Sequence, residues 1–207
     1  MPRGETVVLI HGLWLTGREM VLLRRRLRHC GFAVVVFDYP SVRRGLMGNA
    51  AALQRLVAGL DAATVHFVAH SLGGLLLRQF FHDFPHQRRG RVVTLGTPHR
   101  GSTAARRLAR WRLGRLLLGR SLQPGLLGGL AGWPAGREIG VIAGDRGLGL
   151  GRLLGGLPRP NDGVVAVAES HLPGETDYRL FHVGHTGLLF SAPVASAVCR
   201  FLRDGRF

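Results

Sequence analysis

Apolar residues in this chain fall into short unbroken runs, and the stretches between them carry helical periodicity. Thr6–Ile10, Ala33–Asp38, Thr64–Ala69 and Arg91–Gly96 each read as a strand, rich in Val and lacking polar alternation. Runs apolar on both faces suit a parallel sheet covered by helices on both sides. The intervening stretches read as helices. Arg18–His29 places Met20, Leu23 and Leu27 on one face, and Leu46–Leu60 repeats Ala50, Leu53, Val57 and Leu60 at helical spacing. Leu72–Phe84 is a third helix, Glu138–Ala143 and Tyr178–Val183 are a fifth and sixth strand, and Gly187–Leu202 closes the chain as a helix. Strand–helix alternation of this kind predicts an α/β fold.

Between strands four and five the pattern loosens, and residues 104–136 read as an Arg-, Leu- and Gly-rich, lid-like insertion. Leu108, Trp111, Leu116 and Leu117 fall on one helical face, with Arg106, Arg107, Arg110 and Arg115 nearby. Three roles fit a basic amphipathic helix: resting on a membrane, shielding an apolar pocket, or packing as an ordinary surface helix. Gly125, Gly128, Gly129 and Gly132 make the following stretch adaptable. The Gly-rich stretch Gly144–Gly156 lacks a dinucleotide-binding fingerprint and reads as a loop. No repeat or low-complexity linker divides the 207 residues, so a single domain over 1–207 is expected.

Composition alters this picture little. The formal net charge is +16, and all 28 basic residues are arginine. Such an excess attracts nucleic acid or an anionic membrane surface. Yet the absence of lysine, together with abundant Gly, Ala and Leu, fits a GC-rich coding bias better than selection for a ligand. Aromatic residues make up only 7% of the chain, too few for a base-stacking platform, so no specific nucleic-acid partner is expected. Peripheral contact with an anionic membrane stays open. Cys30 and Cys199 are too few for a disulfide scaffold and lack metal-site spacing, so they read as reduced thiols in helices. No apolar stretch reaches a transmembrane length, and the first strand begins too early for a secretory signal, so a cytoplasmic location is expected.

The chemistry concentrates at strand ends. Val68-Ala69-His70-Ser71-Leu72-Gly73-Gly74 lies where the third strand turns into the third helix. Small residues two before and two after a serine let the chain turn sharply and expose the hydroxyl as a nucleophile. A serine there also serves as a plain helix cap, but its place after a buried strand and before a helix is what a nucleophile demands. Ile10-His11-Gly12-Leu13-Trp14 follows the first strand, where the Leu13 amide is a candidate oxyanion donor. With strands ordered 2-1-3-4-5-6, both loops border the switch point where α/β folds bind ligands. The histidine pairs His66/His70 and His82/His86 come without a carboxylate at ligand spacing, so no metal site is expected.

Five segments together resemble the α/β-hydrolase superfamily, and within it the compact bacterial lipases and esterases. They are Val8–Leu13, Ala69–Gly74, Thr97-Pro98-His99-Arg100-Gly101-Ser102, Asn161-Asp162-Gly163-Val164-Val165 and His185-Thr186-Gly187-Leu188-Leu189. The resemblance implies a compact α/β-hydrolase with a mostly parallel sheet of about six strands. It also implies an oxyanion hole from the Leu13 and Leu72 amides and a triad in the chain order Ser, acid, His. Asp162 and Asp145 are the acid candidates; the Asn-Asp-Gly context favours Asp162, although it is also strong turn chemistry. His185 and His182 are the base candidates, and the loop position of His185 favours it over His182, which lies inside a strand pattern. The implied activity is hydrolysis of a carboxylic ester, on a small molecule or lipid, through an acyl-enzyme and without a cofactor. Thioester or amide cleavage and acyl transfer use the same triad. A non-catalytic basic module binding anionic lipid or nucleic acid is the reading from a different class.

Overall fold

The computed structural model describes residues 4–122, 125–134, 136–147 and 156–207. Among these, six strands form one sheet: β1 (Glu5–Ile10), β2 (Ala33–Phe37), β3 (Thr64–His70), β4 (Val92–Leu95), β5 (Ile139–Gly144) and β6 (Asp177–Phe181). Their order is β2-β1-β3-β4-β5-β6 and every pairing is parallel, as expected from the sequence. The order reverses between β1 and β3, whose registers place Ile10 beside Ala69.

The apolar runs divide by parity between two buried layers. Val8, Ile10, Val65, Phe67 and Ala69 face α2 (Leu46–Ala58) and α3 (Leu72–Asp83). Val7, Leu9, Val68 and Val93 face α1 (Val21–His29) and the two C-terminal helices, α7 (Gly187–Phe190) and α8 (Ala192–Asp204). This two-sided burial is why these strands carry no polar alternation.

Element boundaries differ from expectation where local chemistry intervenes. The first helix opens as a 3-10 turn over Gly17–Met20, capped by Thr16 and Glu19 in a reciprocal capping box. The last helix is two pieces, because Ser191 caps a new start at Ala192-Pro193. Proline has no N–H to continue the preceding turn but suits a first turn. In the insertion, one expected helix is two short ones, α4 (Thr103–Leu108) and α5 (Arg112–Leu118). Leu108 packs against the core whereas Trp111, Leu116 and Leu117 are exposed, so they do not share one buried face. The short α6 (Val167–Ser170) follows the Asn161–Val165 turn. Most of the expected Gly144–Gly156 loop, residues 148–155, lies outside the described residues.

The reading of Cys30 and Cys199 as reduced thiols is overturned. Cys30, at the end of α1, and Cys199, on α8, form a disulfide across a Cα separation of 6.4 Å. Sequence spacing concealed it, since 169 residues separate the two and only packing of α1 on α8 brings them together. Cross-linking so long a segment restricts the unfolded chain, so Cys199→Ser is expected to lower stability by about 2–4 kcal/mol. Thiol titration of the unreduced, denatured protein should find no free thiol, and urea unfolding of the variant checks the loss.

Candidate active site

The junction of β3 and α3 carries a constrained backbone. Ser71 has φ 53° and ψ −121°, and Trp14 is the one other non-glycine residue with positive φ among those described. Such a conformation costs about 1–3 kcal/mol and persists only where the surroundings enforce it. Here the Ser71 N–H donates to the Leu95 carbonyl at 2.9 Å, and Thr97 Oγ1 donates to the Ser71 carbonyl at 2.9 Å. Neighbouring glycines allow the close approach. A Cβ on Gly73 would sit 2.7 Å from the His11 carbonyl, and one on Gly74 would collide with the Thr97 hydroxyl. Ser71 thus does not cap α3 with its side chain, which leaves the hydroxyl available. That hydroxyl has no hydrogen-bond partner among the described residues.

The loop after β1 lies against this turn. A Cβ on Gly12 would stand 3.0 Å from Ser71 Cβ, so a larger residue would crowd the Ser71 side chain. Buried His11 fixes the loop. Its Nδ1 contacts the Gly12 carbonyl at 2.8 Å, its Nε2 accepts the Tyr39 N–H at 3.2 Å, and the Tyr39 hydroxyl donates to the His11 carbonyl at 3.0 Å. With Gly12 C=O turned toward the imidazole, the trans peptide directs the Leu13 N–H the opposite way. Neither the Leu13 nor the Leu72 amide donates a hydrogen bond among the described residues. Leu72 opens α3, where N–H groups are free and the helix dipole favours negative charge.

Asp162 and His185 come together, 23 residues apart in sequence. His185 Nδ1 contacts Asp162 Oδ2 at 2.7 Å, and the His185 N–H donates to the Asp162 carbonyl at 2.9 Å. Asp162 Oδ1 accepts the Val164 and Val165 N–H groups at 2.9 and 2.7 Å. A carboxylate oxygen only accepts, so Nδ1 is the donor in the His185–Asp162 hydrogen bond. The aspartate side chain is 2% exposed and the imidazole 11%. The alternative candidates, Asp145 and His182, pair with each other. His182 Nδ1 contacts Asp145 Oδ1 at 2.8 Å beyond the ends of β5 and β6, with the His182 side chain 80% exposed.

Residues 7–201 match the model of the Alpha/beta hydrolase family. The chain belongs to this family. Among solved structures, this alpha/beta hydrolase is similar to a Bacillus licheniformis lipase, BlEst2, in its mature form. The two share 21% identity over 96% of this chain and 93% of that one, with a TM-score of 0.76. The metagenomic carboxyl esterase MGS0156 is 22% identical over 89% of this chain and 65% of its own, with a TM-score of 0.64. The phospholipase PlaB from Legionella pneumophila is 16% identical over 96% of this chain and 58% of its own, with a TM-score of 0.72. No curated protein matched the chain by sequence. Membership supports a hydrolase activity, and these neighbours establish the shared fold.

Two histidines of this alpha/beta hydrolase, named in the sequence only as members of motifs or pairs, acquire buried partners in the fold. His70, just before Ser71, packs its ring 4.6 Å from that of His185, and its Nε2 donates to the His185 carbonyl at 3.2 Å. Burial, and then the neighbouring His185, hold His70 well below the usual imidazole range. His99 lies within the quoted Thr97–Ser102 motif, its Nε2 3.1 Å from Thr94 Oγ1. Burial, reinforced by nearby Arg78, pushes His99 down to about 3. No periodicity distinguishes such residues; only the contacts of the folded chain do.

These histidines make stability pH-dependent. An unfolded histidine takes up a proton below about pH 6.5. The folded protein excludes that proton from His99 until about pH 3, so the unfolded state binds more protons over this window. Stability is therefore expected to be fullest above the unfolded value and to fall as pH drops. His99 alone should cost about 2 kcal/mol between pH 7 and pH 5, and His70 acts in the same direction. Urea midpoints at the two pH values check this, and identical midpoints would contradict neutral burial.

Proposed function

We propose that this protein is a serine hydrolase that cleaves carboxylic esters with an apolar acyl group, on a small molecule or a lipid. The observation that carries the reading is the buried Asp162–His185 hydrogen bond, with the His185 ring packed on His70, the residue before the left-handed Ser71, in the chain order Ser, Asp, His. In this reading His185 Nε2 takes the Ser71 proton as Oγ attacks the ester carbonyl. Asp162 orients the imidazole and stabilises its charged form. The Leu13 and Leu72 amides hold the oxyanion, His185 then protonates the leaving alcohol, and water activated by the same base releases the acid. The residues involved need no cofactor for these steps. The esterase, lipase and phospholipase among the similar structures favour an ester over a thioester, amide or acyl-transfer reaction. The ordered Asp–His pair speaks against a purely binding role.

Location belongs to the same reading. Among the described residues no helix is long and apolar enough to cross a membrane. The Cys30–Cys199 disulfide favours an oxidising compartment over the cytoplasmic one expected from sequence.

A fluorophosphonate probe followed by peptide mass spectrometry should place a single adduct on Ser71, and its absence from folded protein would overturn the proposal. On p-nitrophenyl esters, Asp162→Asn is expected to lower kcat about 10³–10⁴-fold, since the imidazole loses its orienting acceptor. Asp145→Asn should change kcat less than about twofold, because its partner His182 is exposed. The reverse ranking would reassign the acid.

A further inference from the structure

The insertion leaves a large apolar surface uncovered. α5 turns Gly114 and Leu118 inward, and Leu113, Leu116 and Leu117 outward, 66%, 73% and 46% exposed. Trp111, the residue before α5, is 70% exposed. The body adds Trp14, whose indole N–H donates to the Leu117 carbonyl at 2.9 Å. These five are most of the large apolar side chains that the described surface exposes, gathered in one place.

The mounting is firm. A Cβ on Gly114 would strike the Leu108 carbonyl, so α4 and α5 touch backbone to backbone. The Arg120 N–H donates to the Val42 carbonyl at 2.9 Å, and the Ser121 hydroxyl to the Ser41 carbonyl at 2.7 Å. Arg78, buried without a carboxylate partner, donates through Nη2 to the Leu130 and Ala131 carbonyls on the returning arm. The outward leucines are thus presented by a fixed scaffold. Trp14 directly follows Leu13, so the patch adjoins the candidate oxyanion loop.

Charge selects the occupant. Residues 104–136 contain six arginines and no carboxylate, and no Asp or Glu occurs anywhere between Asp83 and Glu138. The nearest acid to α4, Glu169, is mostly buried and engaged by the Thr103 N–H and Arg106. A second copy of this chain would set arginines against arginines around the same leucines. An anionic lipid surface satisfies both features at once. Its headgroups meet Arg110, Arg112 and Arg115, while Trp and Leu enter the acyl boundary.

We propose that α5, with Trp111 and Trp14, is a docking surface for an anionic lipid bilayer, which sets the Ser71 site at the membrane interface. The proposal rests on the ester-hydrolase reading only for what the site does once docked; the docking itself is separate. It is tested with the full chain carrying Ser71→Ala, which removes turnover from the measurement. Co-sedimentation is measured with phosphatidylcholine vesicles and with vesicles containing about one-third phosphatidylglycerol. At low salt the anionic vesicles are expected to bind at least tenfold more tightly, with the difference shrinking in molar salt. Arg112→Ala with Arg115→Ala, and separately Trp111→Ser with Leu116→Ser, should each weaken that binding about tenfold or more. Circular dichroism and the melting midpoint report whether each pair still folds. Equal partition onto both vesicle types, or binding untouched by either folded pair, would overturn the proposal. So would a concentration-dependent dimer in analytical ultracentrifugation that the Trp111/Leu116 pair abolishes. Fluorophosphonate labelling of the unmutated chain reads the hydrolase proposal independently.

Discussion

The turn at Ser71 is the constraint on which the candidate site depends. Holding a non-glycine residue in the left-handed region costs energy, and the surroundings must supply it. They do so by close approach: Gly12 against Ser71, Gly73 against the end of β1, and Gly74 against Thr97. Each glycine is required because another part of the backbone, or a side chain from a neighbouring strand end, occupies the space of a Cβ. The turn is therefore a property of three adjacent parallel strands, β1, β3 and β4, and not of its own residues alone. It also directs the serine hydroxyl away from α3, where an ordinary cap would turn it back onto the helix.

Two-sided burial of the sheet then decides where polar chemistry is possible. The strand interiors are apolar on both faces, so hydrogen-bonding side chains collect at the carboxyl ends, where loops leave the core. Backbone groups, more than side chains, arrange them there. Asp162 is held by the Val164 and Val165 amides, His185 by the Asp162 carbonyl, and the His185 carbonyl in turn by His70. Such a network positions the imidazole before any substrate arrives, which is the form of preorganisation that acid–base chemistry uses. The same burial favours the neutral form of His70 and His99.

The insertion follows a different logic. In α5, Gly114 and Leu118 face the body while Leu113, Leu116 and Leu117 face solvent, so most of its leucines are turned away from the core. Gly114 and Leu118 provide the close contact, and hydrogen bonds to the Ser41 and Val42 carbonyls hold the segment in place. An apolar face so fixed, beside the candidate oxyanion loop and rimmed by arginine, connects surface composition with the site in a way that net charge alone did not suggest.

By itself the sequence determined the fold class, the strand order and the candidate residues. Unbroken Val-rich runs have few other structural solutions, and a serine in a small-residue turn after such a run is a candidate nucleophile. Ser71, Gly12 and Asp162 were legible because their roles need particular neighbours along the chain. Only the tertiary structure decided the rest. In one dimension the Asn-Asp-Gly context favours Asp162 over Asp145 without placing either against a histidine; packing buries the first with His185 and leaves the second with exposed His182. Cys30 and Cys199 are unrelated until α8 packs on α1. The outward turn of the α5 leucines contradicts the amphipathic pattern expected of a single helix, because a break after Leu108 resets the phase. Local signals specify elements and turns, whereas partners distant in the chain are chosen by which faces the sheet forces together.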